Sequence, residues 1–547
     1  MKKYWFSLAI ILISIFAFSV RLYKVTESPP SPYWEEVALG YDAYSILKTG
    51  KDHHGNPWPL VAFESFGDWK PTGYFYALVP FIALFDLSVL AIRLPSVFAG
   101  TGIVFGLGWI IWLWTDNLTK KQRFWLSLMG MMLASISPWL IQFSRAGWEV
   151  NLATFLIVMG IGSGWASVKR KEKQSSLFYI FISVLFFVAS MYSYHSARVI
   201  APVLGLFLGL RYLLFTSKEG WDKTIKQSLI LGGFVIILLS PFIKAWGSPV
   251  LSQRMAETTI FSDIGIIEES NTAKELHNNA WWTKFVYHRF FFYGEVLASQ
   301  FFVHFRPDFL FVTGDSIARH SSQYFGLFYP FEILFMLVGF FYVIKKFSKE
   351  KQAFLLLWII IGVLPAAISR PAPHALRILP MAPSLLLLVV LGLWQSYRFI
   401  AEDFPCLFYK LKNFRKNVLF IGIITLYILS FCSFYRHLLF VYPQHFAGEW
   451  QAGYEKMIKK VVALQKENPE LPVYITREQG RPAMYYWFYT KTDPKDVQKA
   501  NDLVKKDQGE YLEFENIKFI NTVGEIIESS FTLADFEEVW QVEVLEK

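Results

Sequence analysis

Five stretches of this sequence combine acids, bases and hydrogen-bonding side chains that plain helix connections do not need. They are Trp34-Glu35-Glu36-Val37-Ala38-Leu39-Gly40-Tyr41-Asp42, Gly67-Asp68-Trp69-Lys70-Pro71-Thr72, Phe143-Ser144-Arg145-Ala146-Gly147-Trp148-Glu149-Val150-Asn151, Tyr192-Ser193-Tyr194-His195-Ser196-Ala197-Arg198 and Ser369-Arg370-Pro371-Ala372-Pro373-His374-Ala375-Leu376-Arg377. The adjacent carboxylates Glu35 and Glu36 raise each other's pKa unless a cation or hydrogen bonds stabilise them. If both point one way, one can act as general base and the other as a positioning group. The plainer reading is the solvated first turn of a helix opened by Pro32. Lys70, Arg145, Arg198 and Arg377 come from four separate stretches, and brought together they make an anion site. Arginine suits phosphate because its planar fork donates two parallel hydrogen bonds. Taken singly, each of these cations also reads as a headgroup anchor. His195 and His374 have no histidine four residues on and no cysteine nearby, so hydrogen bonding suits them better than metal ligation.

Apolar runs must position these stretches. A helix crosses about 30 Å of hydrocarbon with about 20 residues. Eleven runs qualify: 4–20, 94–114, 124–142, 152–168, 177–194, 199–216, 228–245, 324–344, 353–369, 378–397 and 417–435. Most carry no charge; Lys244, Arg211 and Glu332 are the exceptions. Glu332 follows Pro330 and reads as an acid in a helix's first turn, where the dipole favours it. Lys and Arg crowd one alternate set of connections, with clusters at 120–123, 169–173, 345–351 and 410–416. The short turns of the other set hold only Arg145, Arg198, Arg370 and Arg377. The positive-inside rule therefore puts the first set, and the N-terminus, in the cytoplasm.

Composition agrees. Hydrophobic residues are 54%, aromatics 18% and charged residues 18%, against about 25% charged in soluble domains. A disordered chain, a collagen and an ordinary soluble enzyme are excluded. Two cysteines exclude a disulfide scaffold and a cysteine-based zinc site. The net charge of +9 is explained by cytoplasmic loops beside an anionic leaflet, and nucleic acid is not needed. Three long segments lie outside: 21–93, 246–323 and 436–547. The last reads as a small extracytoplasmic α/β domain, with helices near 449–467 and 494–506 and strands near 472–476, 511–520 and 536–545. The domain boundary falls between 1–435 and 436–547. Residues 74–91 are apolar, but a span there would turn the basic clusters outward. They read instead as a helix in the interface or packed on the bundle, as does the aromatic stretch 285–305.

In order and spacing, these segments resemble the polytopic GT-C glycosyltransferases, in particular bacterial relatives of the protein O-mannosyltransferases and of the lipid A aminoarabinose transferase. The resemblance rests on the acidic pair, Asp68-Trp69-Lys70-Pro71, Arg93-Leu94-Pro95-Ser96, Ser144-Arg145-Ala146-Gly147-Trp148-Glu149, Tyr194-His195-Ser196-Ala197-Arg198 and Pro373-His374-Ala375-Leu376-Arg377. Arg306-Pro307-Asp308-Phe309-Leu310-Phe311, Gly314-Asp315 and Arg319-His320 add to it. It covers roughly residues 1–395 and does not extend to the tail beyond 436.

The resemblance implies an all-α polytopic membrane bundle of about eleven transmembrane helices, with interfacial helices and the small outer domain. It implies a plasma-membrane enzyme that moves a sugar from a polyprenyl-phosphate donor to an acceptor on the outer side, with inversion. The acceptor is a protein, lipid or glycan. Glu35 takes the general base's place, where the family usually has Asp, and Glu36 matches the second acid. Lys70 falls to the donor phosphate, with Arg145, Arg198 and Arg377. Asp42, Asp68, Glu149, Tyr194, His195, Asp315, Arg319, His320 and His374 are further substrate-binding candidates, Asp42 and Glu149 being reserves for the base. No cofactor and no bound metal are expected. A transporter or flippase of lipid-linked sugars is the alternative, though charges confined to one face and the lack of a visible repeat speak against it. A sensor or scaffold built around 436–547 leaves the charged outer turns unexplained.

Overall fold

The structure, a computed structural model, describes residues 2–168, 173–218, 220–248, 251, 253, 258–399, 409–501, 506–507, 509–521, 530–534 and 541–545. The basic cluster at 169–171, Cys406, and residues 502–505 and 536–540 of the expected tail elements lie outside them. The chain forms two compact units, one of 1–21, 99–143 and 150–436, the other of 22–98, 144–149 and 437–547.

The first unit is the helical membrane bundle. In order, the chain's helices begin with α1 (Lys2–Leu22), then α2 (Trp34–Thr49) and α3 (Gly73–Phe85), which belong to the second unit, then α4 (Val89–Trp114), α5 (Lys120–Ile136), α6 (Pro138–Ser144), α7 (Glu149–Ser167), α8 (Lys173–Ser193), α9 (Ala197–Ser217) and α10 (Trp221–Lys244). Helices Glu332–Lys346, Lys349–Ala367, Ala382–Arg398 and Tyr409–Arg436 follow. Among the described residues nine helices are long and apolar enough to cross a membrane, or ten if α5 and α6 count as one bent span. The expected span 324–344 is shorter than its apolarity suggests. Residues before Glu332 are turns, and the helix has 15 residues.

The bend between α5 and α6 is 59°. Pro138 has no N–H to donate, so carbonyls of the preceding turn lose partners. In hydrocarbon such losses are costly. Buried Arg21 donates to Ala134 O at 3.0 Å and Ser135 O at 3.3 Å, and the Tyr329 hydroxyl donates to Ile136 O at 2.8 Å. Helices Glu332–Lys346 and Ala382–Arg398 touch backbone to backbone. A Cβ on Gly339 would meet Leu388 O at 1.9 Å, and one on Gly392 would meet Phe335 O at 1.7 Å. Small residues at such crossings let apolar helices associate without a hydrophobic drive. Glu332 sits buried at its helix start, accepting from Tyr329 N at 2.9 Å and from the Tyr427 hydroxyl at 3.0 Å.

The second unit joins residues 22–98 to the tail. Here α3 is a 13-residue helix, too short to span, that buries Tyr74, Phe75, Leu78 and Ile82. A hairpin, β1 (Ala62–Ser65) and β2 (Asp68–Pro71), turns at Phe66 (φ 56°) and Gly67 (φ 77°). Two successive left-handed residues make the tight turn that matches strand twist. The tail carries helix Tyr454–Glu467, whose buried Tyr454, Met457, Ile458 and Val461 form one stripe at helical spacing. Its sheet runs β4 (Glu513–Phe514), β5 (Ile517–Ile520), β3 (Val473–Thr476), β6 (Ser530–Ala534), β7 (Gln541–Leu545), with β3 parallel to both neighbours. All four residues of β3 are buried, as suits a central parallel strand. Helix Pro482–Thr490 was not expected from its run of Tyr, Trp and Phe.

The tail packs on α2. Gly40 lies so close that a Cβ would meet Ile92 Cγ2 at 2.6 Å and Phe488 Cε2 at 3.1 Å. The Tyr485 hydroxyl is 2.8 Å from Pro32 O, Trp34 N donates to Gln451 Oε1 at 3.1 Å, and the Tyr41 hydroxyl donates to Thr492 O at 3.0 Å.

Candidate active site

Within the second unit the two acids of α2 have different surroundings. Glu36 is 2% exposed. Its carboxylate caps its own helix by accepting from Tyr33 N at 3.0 Å. It also accepts from Gly147 N at 2.7 Å and pairs with Arg93 Nε at 3.0 Å. Arg93 is itself wholly buried and donates to Val25 O, Pro29 O and Ser31 O at 2.6–2.8 Å. Gly147 suits the approach, because a Cβ there would lie 3.3 Å from Glu36 Oε1. A carboxylate so fully matched is already neutralised and is held in one place.

Glu35 is the reverse. Its side chain is 29% exposed, and Oε1 lies 2.9 Å from Lys70 Nζ, on a side chain only 6% exposed. The hairpin register places Lys70 opposite Phe63 on β1 and puts the ammonium at the start of α2. This is a partly open acid–base pair beside a locked one.

Asp42 lies seven residues beyond Glu35, on the same stripe of α2. It is wholly buried and accepts from His53 N at 2.9 Å, with His53 Nδ1 at 2.7 Å. Burial pushes its carboxyl up to about 7, against the His53 amide and the charges of His54 and Lys70. His54 lies against His53, ring centroids 3.9 Å apart and the planes 40° from parallel, and bonds Asn501 through Nδ1 at 3.0 Å. Burial and the His53 neighbour push His54 down to about 4.

The remaining candidates divide between the units. Arg145 is fully buried, donating to Ser28 O and Lys24 O at 3.0 Å, so it braces the 24–28 loop and faces no solvent. Asp68 accepts from Trp69 N at 2.8 Å inside the hairpin, and Glu149 is buried at the head of α7. In the bundle unit, Arg198 Nη1 lies 3.2 Å from His195 Nδ1 and its Nε donates to Met191 O at 3.3 Å. Tyr194 is half-buried beside His195, and the Arg319 carbonyl accepts from Gln142 at 3.5 Å. Arg377 donates to Ser369 Oγ and Arg370 O, both at 2.9 Å. Asp315, His320 and His374 gather in one buried cluster.

Sequence reasoning missed Arg93, Gly147, His53 and His54 as parts of the site. Arg93 left one signal: a lone arginine at the edge of an otherwise uncharged run. The amide of Gly147 left none.

No protein-family model matches the sequence, and no curated protein matches it. Solved structures do match. ArnT from Cupriavidus metallidurans in the apo state superposes with a TM-score of 0.50 at 10% identity, covering 90% of this chain and 85% of ArnT. The same protein bound to undecaprenyl phosphate gives 0.50 at 12% identity, covering 92% and 89%. The fold is GT-C. The oligosaccharyltransferase AglB from Archaeoglobus fulgidus, in complex with an inhibitory peptide and a dolichol-phosphate, superposes at 0.47 with 13% identity over 89% of this chain. This chain spans 64% of AglB's length, less than two thirds. The GT-C fold accounts for the multi-pass bundle.

Proposed function

We propose that this protein transfers a sugar from a polyprenyl-phosphate donor to an acceptor at the outer face of the plasma membrane, inverting the anomeric centre. One observation carries the reading: Glu35 and Lys70 form a partly exposed ion pair beside the immobilised Glu36–Arg93 pair. A lipid phosphate leaves readily once its growing charge is stabilised, and Lys70 is the fixed cation for that. As the acceptor hydroxyl attacks the anomeric carbon, Glu35 takes its proton. Glu36 cannot serve as base without abandoning Arg93 and the Gly147 amide. The added methylene of Glu, where the family usually has Asp, keeps the chemistry. A phosphate competing for Lys70 also releases the Glu35 carboxylate, so donor binding readies the base. Undecaprenyl phosphate held by ArnT, which shares the fold, supports a polyprenyl-phosphate donor.

The tail buttresses α2 and so holds Glu35 in place. Its position outside the cell rests on the loop charges, and a tag after Lys547 is expected to be reachable on intact cells; protection from added protease overturns that orientation. The function is tested by incubating the purified chain with a panel of polyprenyl-phosphate sugars and following released carrier by mass spectrometry. Wild type releases carrier and Glu35→Gln does not; equal turnover by the two removes the base assignment.

A further inference from the structure

Among the described residues one group of side chains has the donor set of a metal site, and it belongs to neither pair of α2. Asp315, His320 and His374 each offer a ligand atom, and these atoms all lie within 4.8 Å of one another. The residues are 1%, 6% and 6% exposed. His320 Nδ1 stands 3.4 Å from Asp315 Oδ2. Metal–ligand bonds of about 2.0–2.1 Å set a spacing of roughly 3.3 Å between ligands in a tetrahedral site. One edge of that tetrahedron is therefore already formed. The His320 and His374 rings lie side by side, centroids 4.6 Å apart and 34° from parallel, and the His374 ligand atom lies within 4.8 Å of the other two.

The supports around the cluster are those that orient ligands. Asp315 Oδ1 accepts from Ile317 N at 2.9 Å and Oδ2 from Ala375 N at 2.6 Å. A carboxylate oxygen has a second lone pair left for a cation. His304 Nε2 accepts from the His374 amide at 3.2 Å, so its Nδ1 carries the proton donated to Gln300 O at 2.6 Å. Both nitrogens of His304 are thus occupied, Nδ1 anchoring the ring on Gln300 O and Nε2 holding the His374 amide, and it is a brace. Phe143 stacks on the His320 ring at 6.2 Å. Second-sphere contacts of this kind set ligand orientation in metal sites.

We propose that Asp315, His320 and His374 bind a divalent transition-metal cation of the zinc class. Two imidazoles and one carboxylate suit a borderline cation; magnesium and calcium prefer an all-oxygen shell and copper(I) prefers sulfur. The cation clips the end of the second outer segment, 304–323, to the 369–378 turn that carries Arg377. Its fourth position is open to water or an anion. This departs from the expectation of no bound metal, and it is independent of the reaction assigned to Glu35.

The test uses the full chain, purified in detergent on a histidine-free affinity tag, stripped with chelator, equilibrated with Zn2+ and desalted. Wild type retains about one equivalent of zinc by elemental analysis, and Zn2+ raises its Tm above that of the chelated protein. Asp315→Asn, His320→Gln and His374→Gln bind zinc at least about tenfold more weakly, and Zn2+ does not move their Tm. Wild type loaded with Co2+ shows visible d–d bands of a nitrogen–oxygen site. This last reading holds even if a variant fails to fold. A wild-type chain that retains no zinc and shows no cobalt spectrum overturns the proposal. So do folded variants of all three residues that keep a full equivalent.

Discussion

The acidic pair of α2 and the Asp315 cluster hold buried charge in different ways. Around Glu36 the charge is balanced by a second buried charge, Arg93, and by two backbone amides. Around Asp315 the carboxylate is balanced by amides alone, with two imidazoles at its edge. The first arrangement is complete and rigid, so it serves as architecture. The second keeps coordinating capacity in hand. Glu35, next to Glu36 in sequence, completes the contrast: it pairs with Lys70 and keeps partial access to water. On the proposed function, chemistry falls to the partly exposed pair and stability to the buried one.

Breaking the rigid pair has the largest expected effect. Arg93→Ala leaves Glu36 buried without its cation, which costs about 3–5 kcal/mol. Thermal unfolding in detergent measures it, and a change under 1 kcal/mol, a quantity of the order of a surface pair, would show that the pair is not structural. Next comes Glu35→Gln, expected to lower turnover by roughly 10²–10⁴-fold while leaving the melting temperature unchanged. A fall in both together would erase the distinction between the two acids. Lys70→Ala is expected to lower kcat/KM for the donor by roughly 10- to 100-fold, from about 1.5–3 kcal/mol for a hydrogen bond to a charged group. Donor kinetics measure it, and unchanged constants would take Lys70 out of the phosphate site.

The smallest effect concerns His54, at about 4 in the folded protein against 6.5 for the free group. Between these values the unfolded chain binds the proton and the folded chain does not. Stability therefore rises with pH from about 4 to 6.5 and levels off above. His54→Gln removes that dependence, so wild type loses melting temperature relative to the variant as the pH falls from about 6.5 to 4, and the difference between the two proteins is constant above 6.5. Profiles that stay parallel would mean that His54 does not titrate in this way.

Much of the fold was legible in the residues. Apolar runs mark the helices because hydrocarbon tolerates little else, and α3 was recognised as non-spanning because a span there would invert the loop charges. The run 324–344 misled, because apolar turns before Glu332 are as hydrophobic as helix. In the site, Glu35, Glu36 and Lys70 were visible as residue types in charged stretches between apolar runs. Arg145 reads the same way in sequence, yet it is buried on the carbonyls of Lys24 and Ser28. His374 had no partner at helical spacing and was set aside as a ligand, whereas its neighbours come from a different loop.

Composition and periodicity by themselves determined that this is a polytopic membrane protein whose acids, bases and histidines gather in the connections between apolar runs, since burial in lipid or water is a property each residue carries alone. Only the tertiary structure decided that Glu36 is locked while Glu35 is open, that Arg145 is a brace, and that two histidines meet an aspartate. Those outcomes depend on which backbone amide or side chain arrives from a distant part of the chain, and a hydrogen bond or ion pair, being short-ranged and directional, exists only once that arrival has happened.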